Sequence, residues 1–132
     1  MGLFGNKEEK RAEDAAAEAE ADRLAALPVA DLAAVILPAF GPDGPGKGGD
    51  KEIGALQVGM YLMRDFPRGN QFIKQLLEPL KEGIQALENA GLVKRTVQSI
   101  GGSSVSATRL GLQAIKEDSA RKYLSERPAA DA

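Results

Sequence analysis

The succession of patterns between Leu76 and Tyr123 constrains this chain more than any other stretch of it. Leu80, Ile84 and Leu87 recur at the spacing of one helix face. That pattern stops at Ala90-Gly91, where glycine supplies the left-handed residue that closes many helices. Val93-Lys94-Arg95-Thr96-Val97 then alternates branched and polar side chains, which predicts a strand. Gly101-Gly102 permits a reversal, and Val105-Ser106-Ala107 alternates again. Thr108 is placed to cap a final helix running to about Ser125, with Leu112, Ile115, Ser119 and Tyr123 on one face. The order is helix, hairpin, helix.

Two shorter segments lead into it. Ile53, Leu56, Gln57, Met60, Leu62 and Met63 follow a helical period, with both methionines expected in the core, until Asp65-Phe66-Pro67. The residue before a proline is pushed out of the helical region, which sets that boundary. Arg68-Gly69-Asn70 predicts a turn. Phe72, Ile73, Leu76 and Leu77 predict a short second helix, and Pro79 suits the first turn of a third.

Two short strings within this frame carry a family resemblance. Ala86-Leu87-Glu88-Asn89-Ala90-Gly91-Leu92-Val93 resembles the L-E-x-x-G-L-V that closes the recognition helix of ArsR-, MarR- and PadR-like winged-helix regulators. Thr108-Arg109-Leu110-Gly111 resembles the L-T-x-x-G that opens their last helix, with Ala107 where Leu is usual. The likeness covers residues 53–124 and makes the intervening hairpin the wing. It implies a mainly α chain with a small two-stranded β-hairpin (α+β), a winged helix-turn-helix with an extra N-terminal helix. It further implies a transcriptional regulator that binds duplex DNA as a homodimer, its third helix in the major groove and its wing on the backbone.

Chemistry on the third helix points two ways. With Leu80, Ile84 and Leu87 inward, the outward residues are Glu78, Lys81, Glu82, Gln85, Glu88 and Asn89. Lys81 and Gln85 are candidates for base edges, since lysine suits guanine and glutamine suits adenine. Lys94 and Arg95 on the wing strand, and Arg109 after it, are candidates for phosphate contact. Three acids against one base on the helix oppose that contact. The alternative is an interaction module that offers the third helix and wing to a protein.

Charge divides along the chain. Residues 1–50 hold five basic side chains against ten acidic, a net of −5. Residues 51–127 hold twelve basic against eight acidic, a net of +4, and Asp131 brings the whole to −2. An acidic lead therefore precedes a mildly basic domain. Residues 1–27 form an Ala/Glu-rich lead in which Leu24 and Leu27 are the larger apolar side chains between Lys7 and Leu27, so a solvated helix or a disordered segment is expected. An arm of a coiled coil, or an acidic mimic covering the basic domain, is the sharper alternative. Residues 28–40 predict an added helix with Val29, Leu32, Ala33, Ile36 and Leu37 on one face. Residues 41–50 form a Gly/Pro linker loop, 51–127 the winged-helix domain and 128–132 a tail. The stripes of Pro28–Ala39 and Leu112–Tyr123 are expected to leave apolar surface for a second subunit.

Catalysis finds little to work with. The chain has no Cys and no His, so thiol chemistry and the commonest general base and metal ligand are missing together. Ser103 and Ser104 beside Gly101-Gly102 are ordinary turn residues. Gly41 to Lys47 fits the G-x-x-x-x-G-K start of a phosphate loop, but Gly48 stands where the magnesium-binding hydroxyl belongs, and Pro42 and Pro45 remove two N–H donors. No enzyme, catalytic residue, cofactor or metal is expected. The opening MGLFGN has Asn6 where the acylation pattern needs Ser or Thr, and no apolar run is long enough to span a bilayer. The expectation is a cytoplasmic protein without a membrane partner.

Overall fold

The computed structural model describes residues 3–97 and 103–125. It is mainly helical, with one small antiparallel sheet. Helix α1 spans Leu3–Ala26, and α2 spans Val29–Ile36 and tightens into a 3-10 turn over Leu37–Phe40. A short 3-10 turn at Lys47–Gly49 precedes α3, Ala55–Leu62. A longer 3-10 segment, Gly69–Leu76, runs without a break into α4, Leu77–Asn89. Strands β1, Val93–Val97, and β2, Ser103–Ala107, are followed by α5, Arg109–Glu117, and α6, Ala120–Ser125. The Gly101-Gly102 reversal and the 128–132 tail lie outside the described residues.

Helix α4 is the centre of the packing. Leu80, Ile84 and Leu87 are buried, as their period predicts. Gly83, on the same side, lets α2 approach closely: a Cβ there would stand 2.5 Å from Ile36 Cδ1. Leu32, Ala33, Ile36, Leu37 and Phe40 are consequently buried. Each large side chain so enclosed contributes about 1.5–3 kcal/mol relative to exposure. At its far end α4 closes on Gly91, whose φ of +80° places it in the left-handed region. The Leu92 N–H then donates to Leu87 O at 2.9 Å, which ends the helix and aims the chain into β1.

The hairpin pairs Val93 with Ala107 and Arg95 with Val105. Ile53 joins its other edge as a single bridging residue: its N–H donates to Val105 O at 2.8 Å, and its carbonyl oxygen accepts from the Val105 N–H at 2.9 Å. This corrects the expectation that Ile53 begins a helix. Helix α3 is also rotated from the expected face. Val58, Gly59 and Met63 are buried, whereas Leu56 is 54 % exposed and Met60 47 %. Gly59 is the cause, because a Cβ there would meet Ile73 Cγ2 at 2.7 Å. The glycine side turns inward and Met60 turns out.

Four further expectations change. The short second helix is a 3-10 segment, in which Ile73 and Leu76, three residues apart, lie on one buried edge. The last helix is two helices, broken where Asp118 adopts φ +53° and the Ser119 N–H turns back to Ala114 O. Residues 3–26 are not a solvated lead: Ala17, Ala21 and Leu24 are buried against the Gly69–Leu76 segment. Alanines at i, i+4 and reaching Leu24 at i+7 make a narrow stripe that fits only a close neighbour. The stripes expected to leave room for a second subunit are largely consumed within the chain. Residues on α2 and α6 pack together, and Arg121 pairs with Asp31 across them.

Candidate nucleic-acid interface

A cleft of about 410 Å³ opens where the N-terminus of α3, the outer face of α4 and the hairpin meet. Gly54, Ala55, Lys81, Ile84, Gln85, Arg95 and Val105 line it. Its floor is apolar, since Ile84 and Val105 are core residues. Its rim is polar, and three of the five residues singled out in the sequence stand on it. Lys81 and Gln85 project from α4 one helical turn apart. Arg95 reaches it from β1 because strand alternation puts Arg95 on the same side as Val93, its cross-strand partner Val105 and Ala107.

The other two residues go elsewhere. Lys94 is exposed on the opposite face of the hairpin, in register with Ser106. Arg109 is exposed at the first position of α5 and does not line the cleft. The cleft also contains what the sequence did not suggest, the start of α3 at Gly54-Ala55. A helix N-terminus carries partial positive charge and unsatisfied N–H groups, which favour an anion. The Gly54 N–H itself is engaged by Gln57 Oε1 at 3.0 Å. Gln57 three residues after Gly54 could have suggested that boundary.

Ion pairs temper the charge of this surface. Arg95 donates through Nε to Glu88 Oε1 at 3.0 Å, and its Nη2 lies 2.9 Å from the same oxygen. Lys81 Nζ lies 3.2 Å from Glu78 Oε2, with both groups exposed. The Gln85 amide donates to Asn89 Oδ1 at 3.0 Å. Those surface contacts are weak and can exchange for a ligand, whereas the half-buried Arg95–Glu88 pair holds the guanidinium at the cleft wall.

The Gly41–Lys47 string is differently disposed. It follows the 3-10 turn of Leu37–Phe40, not a strand. Most N–H groups in and just after it are committed to neighbouring carbonyls: Gly44 and Gly48 donate to Gly41 O, Gly46 to Ala39 O and Lys47 to Gly44 O. A phosphate would find no cradle of free donors there. The loop is tightly folded, since a Cβ on Gly44 would come within 2.4 Å of Ala39 O. Among the described residues no group of three or more acidic side chains is arranged to hold a metal ion, and no helix is long and apolar enough to cross a membrane. Compared with known proteins, the chain matches no family model, no curated protein and no solved structure.

Proposed function

We propose that the chain is a winged helix-turn-helix protein that binds duplex DNA through α4 and the hairpin and acts as a transcriptional regulator. The observation that carries this reading is the convergence of Lys81, Gln85 and Arg95 with the N-terminus of α3 on one cleft. The element order supports it too: α2, the bridging Ile53, α3, α4 and the hairpin follow the succession of a winged helix. In the proposed complex Gln85 and Lys81 face base edges, and Arg95 with the start of α3 faces phosphates. A homodimer belongs to the proposal, because two copies double the few phosphate contacts one copy offers. Among the described residues, Leu56 and Met60 are the most exposed large apolar side chains left for it. Cytoplasmic location is part of the same reading.

Titration of a labelled random-sequence duplex at about 50 mM and about 200 mM salt tests it, since each phosphate neutralised contributes about −0.9 to the log–log slope. Replacing Arg95 with Ala should weaken all duplexes and flatten the slope. No binding at the lower salt would end the DNA reading. A second reading, a protein-binding winged helix, draws on the Arg95–Glu88 pair and on the three acids of the α4 face. It becomes the better account if duplex fails to bind.

A further inference from the structure

The surface best suited to a phosphate backbone is not α4 itself but the stretch that leads into it. Residues 68–76, RGNQFIKQL, carry two cations and three side-chain amides and no acid. In a helix-turn-helix the start of the recognition helix enters the groove, so the segment just before it lies along the backbone. In this chain α1 lies on that segment. Asp14 accepts from Arg68 Nε and, at 3.1 Å, from the Gln71 amide. Asp22 accepts from the Gln75 amide at 3.1 Å. Three donors that suit phosphate oxygens are thus held by carboxylates.

The way α1 is seated suits a contact that can be released. Its buried apolar stripe is narrow, with Ala17, Ala21 and Leu24 as the buried apolar side chains among the described residues of α1. Leu27 and Pro28 alone separate it from α2, which gives it a single short hinge. Across Leu3–Ala26 it carries seven acidic and four basic side chains, opposite in sign to the segment it covers.

We propose that α1 is an acidic cover that regulates duplex binding, its Asp14 and Asp22 carboxylates occupying the places of backbone phosphates on Arg68, Gln71 and Gln75. The inference rests on the duplex-binding reading above. In it, free protein keeps α1 down, and duplex at high local concentration or low salt competes it away from residues 68–76.

The test compares full-length proteins on one labelled random-sequence duplex at low salt. The Asp14→Ala, Asp22→Ala double variant should bind about tenfold tighter with a steeper salt slope, because Arg68 becomes available to a phosphate. Adding Arg68→Ala should abolish the gain. Glu9→Ala with Glu18→Ala makes the same change of net charge on exposed residues of α1, and should recover only a small part of it. If the double Ala variant does not unfold cooperatively, Asp14→Asn with Asp22→Asn is measured in its place and should shift affinity the same way. Wild-type binding with no gain in the Asp14/Asp22 variant overturns the cover and leaves the duplex reading standing. An equal gain from Glu9/Glu18 also overturns it, since net charge would then suffice. No binding by any of the proteins removes both.

Discussion

The Thr108 hydroxyl donates to the Gly91 carbonyl oxygen at 2.7 Å and accepts from the Gly111 N–H at 3.0 Å. The turn that ends α4 and the cap that opens α5 are therefore one structure. Gly111 completes it, because a Cβ there would stand 1.9 Å from Leu92 O. The two sequence strings that carry the family resemblance are in contact, and each glycine has its own reason. Gly91 supplies a left-handed backbone, with nothing within 4 Å of its added Cβ, while Gly111 supplies space.

That difference predicts unequal costs. Gly91→Ala should lower stability by about 1 kcal/mol, the strain of a left-handed alanine. Gly111→Ala must displace a backbone carbonyl and should cost about 3 kcal/mol or more. Thr108→Ala should fall between them, at about 1–2 kcal/mol for the cap and the lost Gly91 bond. Chemical denaturation of the three variants checks the order, and equal losses at Gly91 and Gly111 would refute the close-approach argument.

Helix α1 should behave as part of the folded body. Leu24→Ala should cost about 2–3 kcal/mol as a buried truncation. Ala21→Leu should also destabilise, since Ala21 is fully buried where α1 packs on Gly69–Leu76. Thermal unfolding of both variants is the measurement. A neutral Ala21→Leu would mean that α1 is not seated as described.

The path from sequence to these elements was open in some places and closed in others. The inward face of α4 was legible because Leu80, Ile84 and Leu87 dominate any helical period through them. The seat of α1 was not, because Ala17 and Ala21 look the same as the exposed alanines around them until a neighbour is present. Ile53 forms a one-residue bridge, too short to leave a period. The face of α3 turned on Gly59, which no hydrophobicity pattern weighs. Of the cleft, Lys81 and Gln85 could be placed from helix spacing alone. That Arg95 would meet Glu88 depends on the angle set at Gly91 between α4 and β1. The α5–α6 break did have a signal, since Asp118-Ser119 are residues that favour turns.

A small acid-side dependence of stability is expected from Glu20. The hydrogen bond from Arg23 holds its carboxyl below the usual glutamate range, with partial burial opposing and the Arg23 charge adding to the lowering. Because the folded-state value is the lower one, the contribution is present above the usual carboxylate range and is lost as pH falls through the lowered value. Arg23 is 57 % exposed, so screening limits the effect to about 0.5 kcal/mol or less. Denaturation of wild type and Glu20→Gln should differ slightly near neutrality and converge in acid; a difference that grows in acid would contradict the sign.

Glu88→Gln should release part of the charge of Arg95 to a ligand in the cleft. In the duplex titration it should tighten binding by roughly threefold to tenfold at low salt, about what a half-buried pair of this kind can withhold. An unchanged or weaker affinity would show that Arg95 does not face phosphate.

The most direct test of the central claim is residue-resolved. An isotope-labelled full-length chain is titrated with a random-sequence duplex at low salt while backbone and side-chain signals are followed by NMR. Ala55, Lys81, Gln85 and Arg95 should shift together along one titration curve, since they share one cleft. Shifts confined to α5 and α6, or no shifts at those four residues at saturating duplex, would contradict it.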